Sequence, residues 1–598
     1  MQIKISTSPI FGRKLSSEEE AEYSDILNRG KNAVSKSENG KSILVVPTTS
    51  LPEKADYCTG VGYLGSKESF DFFEFAKKYW GINEIQLLPT GQFHQYDGKV
   101  PLYSGTSMEL GNHMINLEKF LSKDEIARIA KQNNEKNKVN FSNIIEKNSA
   151  QENAIKKLYN SMPENLKQEF CSYKSIHKER LEPKAIYNAL VELNGHDKYF
   201  WHDTDKYLYD DRIVKPDIKD KRINEIKSLK TESIDFYQFK QFLADTSLKE
   251  AKNELNKKGL KLNGDLICGF SEDERWANPK AFIKDSTIGW GQQALDLDSP
   301  EAEKLIRQKV NFYAARFDGI RIDASWTYIS PTVNHAFTGE FIHKKDYGDK
   351  ILNIIDDEVK KVKGCNYDLK NIMHEFAADP KNFNIFDGTQ LKPYIRDRVK
   401  IYTSDYLSPD WGSNDNYLKR GWNKDYFIIG TTNHDSCAIS VSEEQAETLS
   451  NILKISKKKL LNLKEFIKAK FAEPMGAKNT MLLFSNALGI NKSFGANKNP
   501  SENYKIKIAE NFEEEYHKAL QKGEAFNPMD ALEKQFVAQG LDKTEKDLYK
   551  KIVKYRKILE QKENSKPWVK IGIISACSFL TIAGGLYMYF KKNKEEVD

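Results

Sequence analysis

The sequence predicts an α/β protein built around a parallel eight-stranded barrel. Eight short apolar segments lie between residues 43 and 488, and stretches of helical periodicity such as 69–79 and 301–316 separate most of them. Strands that alternate with helices form parallel sheets, and eight such units close into a (β/α)8 barrel. Several segments end in Asp, Glu, His or Asn, so we expect polar side chains at the carboxyl ends of the strands, where barrel proteins carry their functional groups.

The strands are predicted in chain order from their apolar runs. They are residues 43–47 (ILVVP), 84–89 (EIQLLP), 260–266 (LKLNGDL), 319–324 (GIRIDA), 372–376 (IMHEF), 399–405 (VKIYTSD), 427–435 (FIIGTTNHD) and 481–488 (MLLFSNAL). Between the second and third strands, residues 118–230 are rich in Lys, Glu and Asn, which predicts a large insertion of polar helices. The barrel with this insertion is expected to occupy residues 1–545.

The last part of the chain predicts a membrane anchor. Residues 546–567 form an amphipathic helix, with Leu548, Ile552, Tyr555 and Leu559 at helical spacing, followed by a short polar stalk. Residues 571–590 contain no charge, and a helix of that length spans about 30 Å, the thickness of a bilayer core. Aromatic residues and lysines flank this segment, so we expect a transmembrane helix within 568–592, with the barrel in the cytoplasm because no signal peptide precedes it. The alternative is a buried core helix.

Composition narrows the class of protein. Hydrophobic residues make up 39% of the 598 residues, which is enough for a buried core and excludes a disordered chain. The net charge is only +6, which argues against a dedicated nucleic-acid binder. The six cysteines form no CxxC pair, which argues against a disulfide framework or a zinc site.

Three acidic residues stand at the ends of separate predicted strands: Asp323, Glu375 and Asp435. Arg321 shares a strand face with Asp323, two residues away, and its charge keeps that carboxyl ionised. Apolar neighbours of Glu375 are expected to raise its pKa. Enzymes that cleave glycosidic bonds use an ionised carboxylate opposite a protonated carboxyl group. Each acid taken alone also fits a helix cap or a salt bridge.

Aromatic side chains and a histidine complete the candidate site. His434 is placed to hydrogen-bond a sugar hydroxyl, although a buried polar core residue is an alternative for it. Tyr103, Trp290 and Trp326 offer rings on which sugars stack. The metal-binding spacings HxH and HExxH do not occur in the sequence.

The order of several motifs resembles the amylomaltase family of 4-alpha-glucanotransferases, in the α-amylase clan. The matching segments are LVVPTTSLP (44–52) with GVGYLG (60–65), PLYSGTS (101–107), GDL (264–266) with WANP (276–279), FDGIRID (317–323) and the stretch after residue 481. The resemblance covers most of residues 43–510.

The resemblance implies a retaining double-displacement transfer of α-1,4-glucan segments between maltooligosaccharides. Asp323 is then the nucleophile, Glu375 the acid/base and Asp435 the residue that stabilises the transition state. Arg321 and His434 are implied to lie beside Asp435, and Tyr103 to stack on the sugar next to the cleaved bond. Asp265, Trp290 and Trp326 are further predicted to contact the substrate. No metal or organic cofactor is implied.

Two alternatives follow from departures within the matching motifs. Ala324, Ser325 and Trp326 follow Asp323, and Phe376, Ala377 and Ala378 follow Glu375, where the family has other residues. The first alternative is an α-glucan hydrolase of the same clan. The second is a membrane-tethered protein that binds glucan without turnover.

Overall fold

A closed barrel of eight parallel strands forms the centre of the protein. The computed structural model describes residues 15–93, 100, 102–135, 137–288, 292–329, 332–335, 341–343, 347–375, 398–403, 427–432, 434, 438–495, 497 and 499–561. The strands in chain order are β1 Ser42–Val46, β2 Glu84–Leu87, β3 Lys261–Leu266, β4 Ser286–Thr287, β5 Gly319–Ile322, β6 Thr332–His335, β7 Phe341–His343, β8 Ile372–Glu375, β9 Val399–Thr403, β10 Phe427–Gly430 and β11 Asn479–Leu483. The barrel order is β1-β11-β10-β9-β8-β5-β3-β2.

The parallel barrel confirms the predicted fold class. Each of the eight predicted apolar segments overlaps one barrel strand, although β1 begins one residue and β11 two residues earlier than predicted. Strand β1 closes the barrel by pairing with both β2 and β11. Residues such as those of β1, SILVV, form strands here because β-branched and apolar side chains are buried on both faces of a parallel sheet.

A small antiparallel sheet lies outside the barrel and was not predicted. Its order is β4-β6-β7. These strands have two to four residues each and contain polar residues such as Asn334 and His335, so the sequence carries no apolar run that marks them.

The helices up to residue 257 include those of the insertion. They are α1 Ser17–Ser35, α2 Lys67–Trp80, α3 Leu117–Phe120, α4 Lys123–Gln132, α5 Ser142–Ile145, α6 Ala150–Asn160, α7 Glu164–Ile176, α8 Lys178–Asn194, α9 Asp203–Lys206, α10 Pro216–Leu229 and α11 Thr231–Lys257. Helices α3–α10 lie between β2 and α11, within the stretch where the sequence predicts polar helices.

The remaining helices follow β3. They are α12 Glu272–Ala277, α13 Pro300–Arg316, α14 Trp326–Ile329, α15 Tyr347–Lys363, α16 Glu443–Leu453, α17 Lys457–Leu460, α18 Leu463–Ala472, α19 Phe484–Ala487, α20 Phe512–Lys522, α21 Pro528–Gln539, α22 Leu541–Thr544 and α23 Lys546–Glu560. Helix α23 buries the apolar stripe that its spacing predicts and packs against α1 and α21.

The part of the chain that the structure describes has two hydrophobic cores. The larger one joins the barrel strands to the surrounding helices. The smaller one lies within the insertion and includes Ile186, Leu190, Trp201 and Ile226, together with Trp276 of α12. Because Trp276 follows β3, the insertion is packed directly against a segment that leaves the barrel.

The predicted membrane anchor lies outside the described residues, which end at residue 561. Among the helices that are described, none combines the length and apolarity needed to cross a bilayer. The anchor therefore stays a prediction.

Candidate active site

Arg321 occupies the centre of the candidate site, on β5. Its strand neighbours Ile320 and Ile322 are buried, and strand alternation places Arg321 on the opposite face from both of them. In the sheet register Arg321 stands beside Asp265 of β3 and Met373 of β8. Glu375 lies two residues beyond Met373 and therefore shares the face of Arg321.

The guanidinium group of Arg321 contacts three carboxyl groups and a phenol. Nη1 donates to Asp265 Oδ1 and, over 3.2 Å, to the hydroxyl of Tyr103. Nη2 donates to Asp323 Oδ1 over 3.0 Å and also to Glu375 Oε2. Only 3% of the Arg321 side chain is exposed, so these charge-assisted bonds are shielded from water.

The predicted nucleophile and acid/base share one nitrogen atom. Each hydrogen bond is about 3 Å long or less, so the two oxygens that accept from Nη2 are at most about 6 Å apart. Retaining glycosidases hold their two carboxyl groups about 5–5.5 Å apart, and inverting enzymes about 6.5–9.5 Å. The arrangement of Asp323 and Glu375 therefore fits the retaining geometry.

The surroundings of Glu375 shift the pKa of its carboxyl group. Burial raises its pKa, the charge of Arg321 lowers it and the charge of Asp323 raises it, giving a value of about 7. Three carboxyl groups around one guanidinium leave an excess of negative charge, which favours a proton on one of them. A carboxyl group with this pKa donates and accepts a proton near neutral pH.

A sharp turn after β5 presents the carboxylate of Asp323. The next residue, Ala324, has a φ of 43°, in the left-handed region that non-glycine residues adopt rarely. The Ser325 amide donates to the carbonyl of Glu375 over 3.0 Å, so the turn is tied to the end of β8. This hydrogen bond fixes the position of Asp323 relative to Glu375.

Tyr103 and Asp265 form one wall of the site. The Tyr103 hydroxyl donates to Asp265 Oδ2 over 2.8 Å. The ring of Tyr103 stacks on the ring of His434, with centroids 4.8 Å apart and planes tilted by 25°. Burial raises the pKa of Asp265, while Arg321 lowers it and Asp323 raises it.

The structure thus brings together six residues from the predicted set: Arg321, Asp323, Glu375, Asp265, Tyr103 and His434. Asp435 and Trp290 lie outside the described residues, and Trp326 is placed only as the first residue of α14. Their roles stay predictions. Within the described ranges, no group of three or more His, Cys, Asp or Glu side chains is arranged to hold a metal ion.

Sequence reasoning missed a cysteine next to the predicted nucleophile. Cys268 follows β3, and burial together with the charge of Asp323 raises the pKa of its thiol to about 12. The neighbouring carbonyls of Ile267 and Gly269 each accept a hydrogen bond of 2.6 Å from Lys309. The position of Cys268 just past a strand end, three residues after Asp265, is the signal that points to it.

Comparisons with known proteins find similarity to 4-alpha-glucanotransferases. Residues 46–294 match the family model of 4-alpha-glucanotransferase. A 4-alpha-glucanotransferase of Clostridium butyricum is 23% identical over 419 residues, covering 62% of this chain and 80% of that protein. A 4-alpha-glucanotransferase of Thermus thermophilus is 24% identical over 431 residues, covering 63% of this chain and 79% of that protein.

Solved structures of amylomaltases share the fold. One is the amylomaltase from Streptococcus agalactiae in complex with acarbose, with a TM-score of 0.61 and 16% identity, covering 82% of this chain and 100% of that chain. Another is the amylomaltase from Corynebacterium glutamicum, with a TM-score of 0.57 and 14% identity, covering 90% of this chain and 76% of that chain.

The closed parallel barrel places the protein in the (β/α)8 class. The family model that matches residues 46–294 and the two curated relatives make the chain similar to 4-alpha-glucanotransferases. This confirms the resemblance that the motifs indicate.

Proposed function

We propose that this protein is a 4-alpha-glucanotransferase that moves α-1,4-glucan segments between maltooligosaccharides. The observation that carries the proposal is the buried Arg321, which holds Asp323 and Glu375 on one nitrogen atom at a separation suited to retention. The matching family model and the two curated relatives support the same reaction.

In the first step Glu375 protonates the glycosidic oxygen while the Asp323 carboxylate attacks the anomeric carbon. The bond from the anomeric carbon to the leaving oxygen breaks, and a covalent glycosyl-enzyme forms. Arg321 supports this step because its hydrogen bond to Asp323 Oδ1 holds the attacking carboxylate in place.

In the second step Glu375, now a carboxylate, removes the proton from a hydroxyl of the acceptor. The acceptor oxygen attacks the anomeric carbon and releases Asp323, so the configuration is retained. A glucan acceptor gives transfer, and water gives hydrolysis. The rings of Tyr103 and His434 form an aromatic surface on which a sugar ring can pack. Asp435 is assigned to bind sugar hydroxyls and to stabilise the transition state.

Residues 571–590 are proposed to anchor the enzyme in a membrane, with the barrel in the cytoplasm. The support is the uncharged run of 20 residues, with Trp568 and Lys570 before it and Lys591 and Lys592 after it. Such flanks are typical of helix ends at membrane interfaces.

Incubation of the full-length protein with maltotriose tests the proposed activity. We expect glucose together with maltopentaose and other longer products. Glucose and maltose without longer products would favour the hydrolase. Binding to maltooligosaccharides without any product would favour the glucan-binding alternative.

A further inference from the structure

A buried lysine of the insertion connects it to two segments next to the candidate site. Lys184 lies in α8, and its Nζ donates to Asp273 Oδ2 over 2.8 Å and to Glu274 Oε1 over 3.1 Å. The same Nζ is 3.7 Å from Glu109 Oε2. The lysine side chain is 4% exposed, and the three acidic side chains are 1–11% exposed.

The three carboxyl groups belong to segments that carry site residues. Glu109 follows β2 in the same segment as Tyr103. Asp273 and Glu274 begin α12, which follows the strand that carries Asp265. Tyr103 and Asp265 are bonded to each other and to Arg321, so Lys184 bridges the outer parts of both segments.

Further hydrogen bonds make this junction rigid. Glu274 accepts from the Ser107 hydroxyl over 2.6 Å and from the Met108 amide over 2.9 Å. Tyr237 of α11 donates to Glu109 Oε2 over 2.6 Å. The segment of Tyr103 is therefore held from the insertion, from α11 and from α12.

The charge of Lys184 is needed for the junction. Burial acts to lower the pKa of Lys184, but Asp273, Glu274 and Glu109 outweigh it and raise the pKa above its ordinary value. Loss of the ammonium group would leave three carboxyl groups buried without a cation between them. Buried carboxylates without a cation repel one another, which weakens the attachment between the segments that carry them.

We propose that Lys184 is a positioning residue, which holds the segments of Tyr103 and Asp265 in the arrangement that the substrate requires. The kinetic part of this inference rests on the proposed glucanotransferase function. The positional part does not, because it concerns the backbone of residues 102–110 and 266–278. The insertion is thereby assigned a part in shaping the site.

The test compares Lys184→Met with Lys184→Arg and with Arg222→Met in the full-length protein. Arg222 is a matched control because its bidentate ion pair with Asp205, at 2.6 and 2.8 Å, lies wholly within the insertion. Hydrogen exchange is measured over 102–110 and 266–278, and KM and kcat are measured with maltotriose.

We expect Lys184→Met to speed exchange in both segments and to raise KM about 10-fold, with a smaller change in kcat, because the binding wall is displaced. Lys184→Arg should return KM to within about 3-fold of the wild-type value, since it restores the charge. Arg222→Met should speed exchange in α9 and α10 and leave KM unchanged.

The proposal is overturned if Lys184→Met leaves hydrogen exchange unchanged in both segments, or if its KM rises no more than that of Arg222→Met. If Lys184→Met gives no folded protein, Glu109→Gln replaces it, because Lys184 then keeps two carboxylates. Glu109→Gln should speed exchange over 102–110 alone and raise KM about 3-fold, and no change in either would also overturn the proposal. A wild-type protein that leaves maltotriose untouched contradicts the proposed function, while the exchange comparison still decides the role of Lys184.

Discussion

Arg321 and Glu375 form a buried ion pair between neighbouring barrel strands, and the nitrogen of Arg321 that binds Glu375 also binds Asp323. One cation therefore contacts both proposed catalytic carboxyl groups. Its charge limits the rise in the pKa of Glu375. The predictions on the site follow from this arrangement.

Replacing Asp323 by Asn should remove transfer activity. The amide keeps the shape of the side chain but is not a nucleophile, so kcat should fall by at least about 10³-fold. The rate of maltotriose disproportionation measures this. Asp318→Asn is the control, because Asp318 precedes the same strand and accepts from the Leu262 amide outside the site. Equal losses in the two variants would contradict the role of Asp323.

The pH profile should report the ionisation of Glu375. The acid must be protonated in the first step, and its pKa is about 7. We therefore expect kcat/KM for maltotriose to fall about tenfold per pH unit above that value. The Glu375→Gln variant is assayed with maltosyl fluoride as the donor, because the fluoride leaving group needs no acid. In this variant the fall in kcat/KM at alkaline pH should vanish. A rate that keeps rising to pH 9 would show that another group is the acid.

Arg321→Met should reduce both stability and activity. The variant leaves Asp265, Asp323 and Glu375 buried without their cation, at a cost of about 3–5 kcal/mol in the free energy of unfolding. Urea denaturation measures this cost. Arg398→Met is the comparison, since Arg398 makes a bidentate ion pair with Asp356 at 2.6 and 2.7 Å. Arg398→Met should retain transfer activity, and its loss there would weaken the assignment of the site.

Tyr103→Phe and Tyr103→Ala should separate two contributions of this side chain. Phe keeps the ring beside His434 and loses the hydrogen bonds to Asp265 and Arg321, so we expect a drop in kcat/KM of about 10-fold. Ala also removes the stacking surface and should cost about 10-fold more. If the two variants lose the same activity, the ring does not contribute to sugar binding.

Deleting residues 568–598 should release the protein from membranes without loss of activity. Twenty uncharged residues favour insertion, so the full-length protein should pellet with membranes and resist carbonate extraction. Maltotriose assays on the released protein check that the barrel is intact. Full-length protein in the soluble fraction, or a barrel that collapses after the deletion, would mean that 571–590 is a core or interface helix.

The fold was predictable because its signals are local. Each barrel strand overlaps an apolar run that the sequence shows directly, and polar residues at the strand ends mark one face of a parallel barrel. The sheet β4-β6-β7 was not predictable, since strands of two to four residues that contain polar side chains lack such a run. Their pairing depends on tertiary contacts.

The sequence by itself determined which residues are candidates for chemistry: Asp323 and Glu375 at strand ends, with Arg321 beside Asp323. Only the tertiary structure decided that Arg321 also binds Asp265 and Glu375, that Tyr103 stacks on His434, and that Lys184 of the insertion binds three distant carboxyl groups. The physical reason is that strand periodicity fixes the face of a side chain within one strand, whereas distances between strands, and the pKa shifts that depend on burial, arise only when the barrel closes.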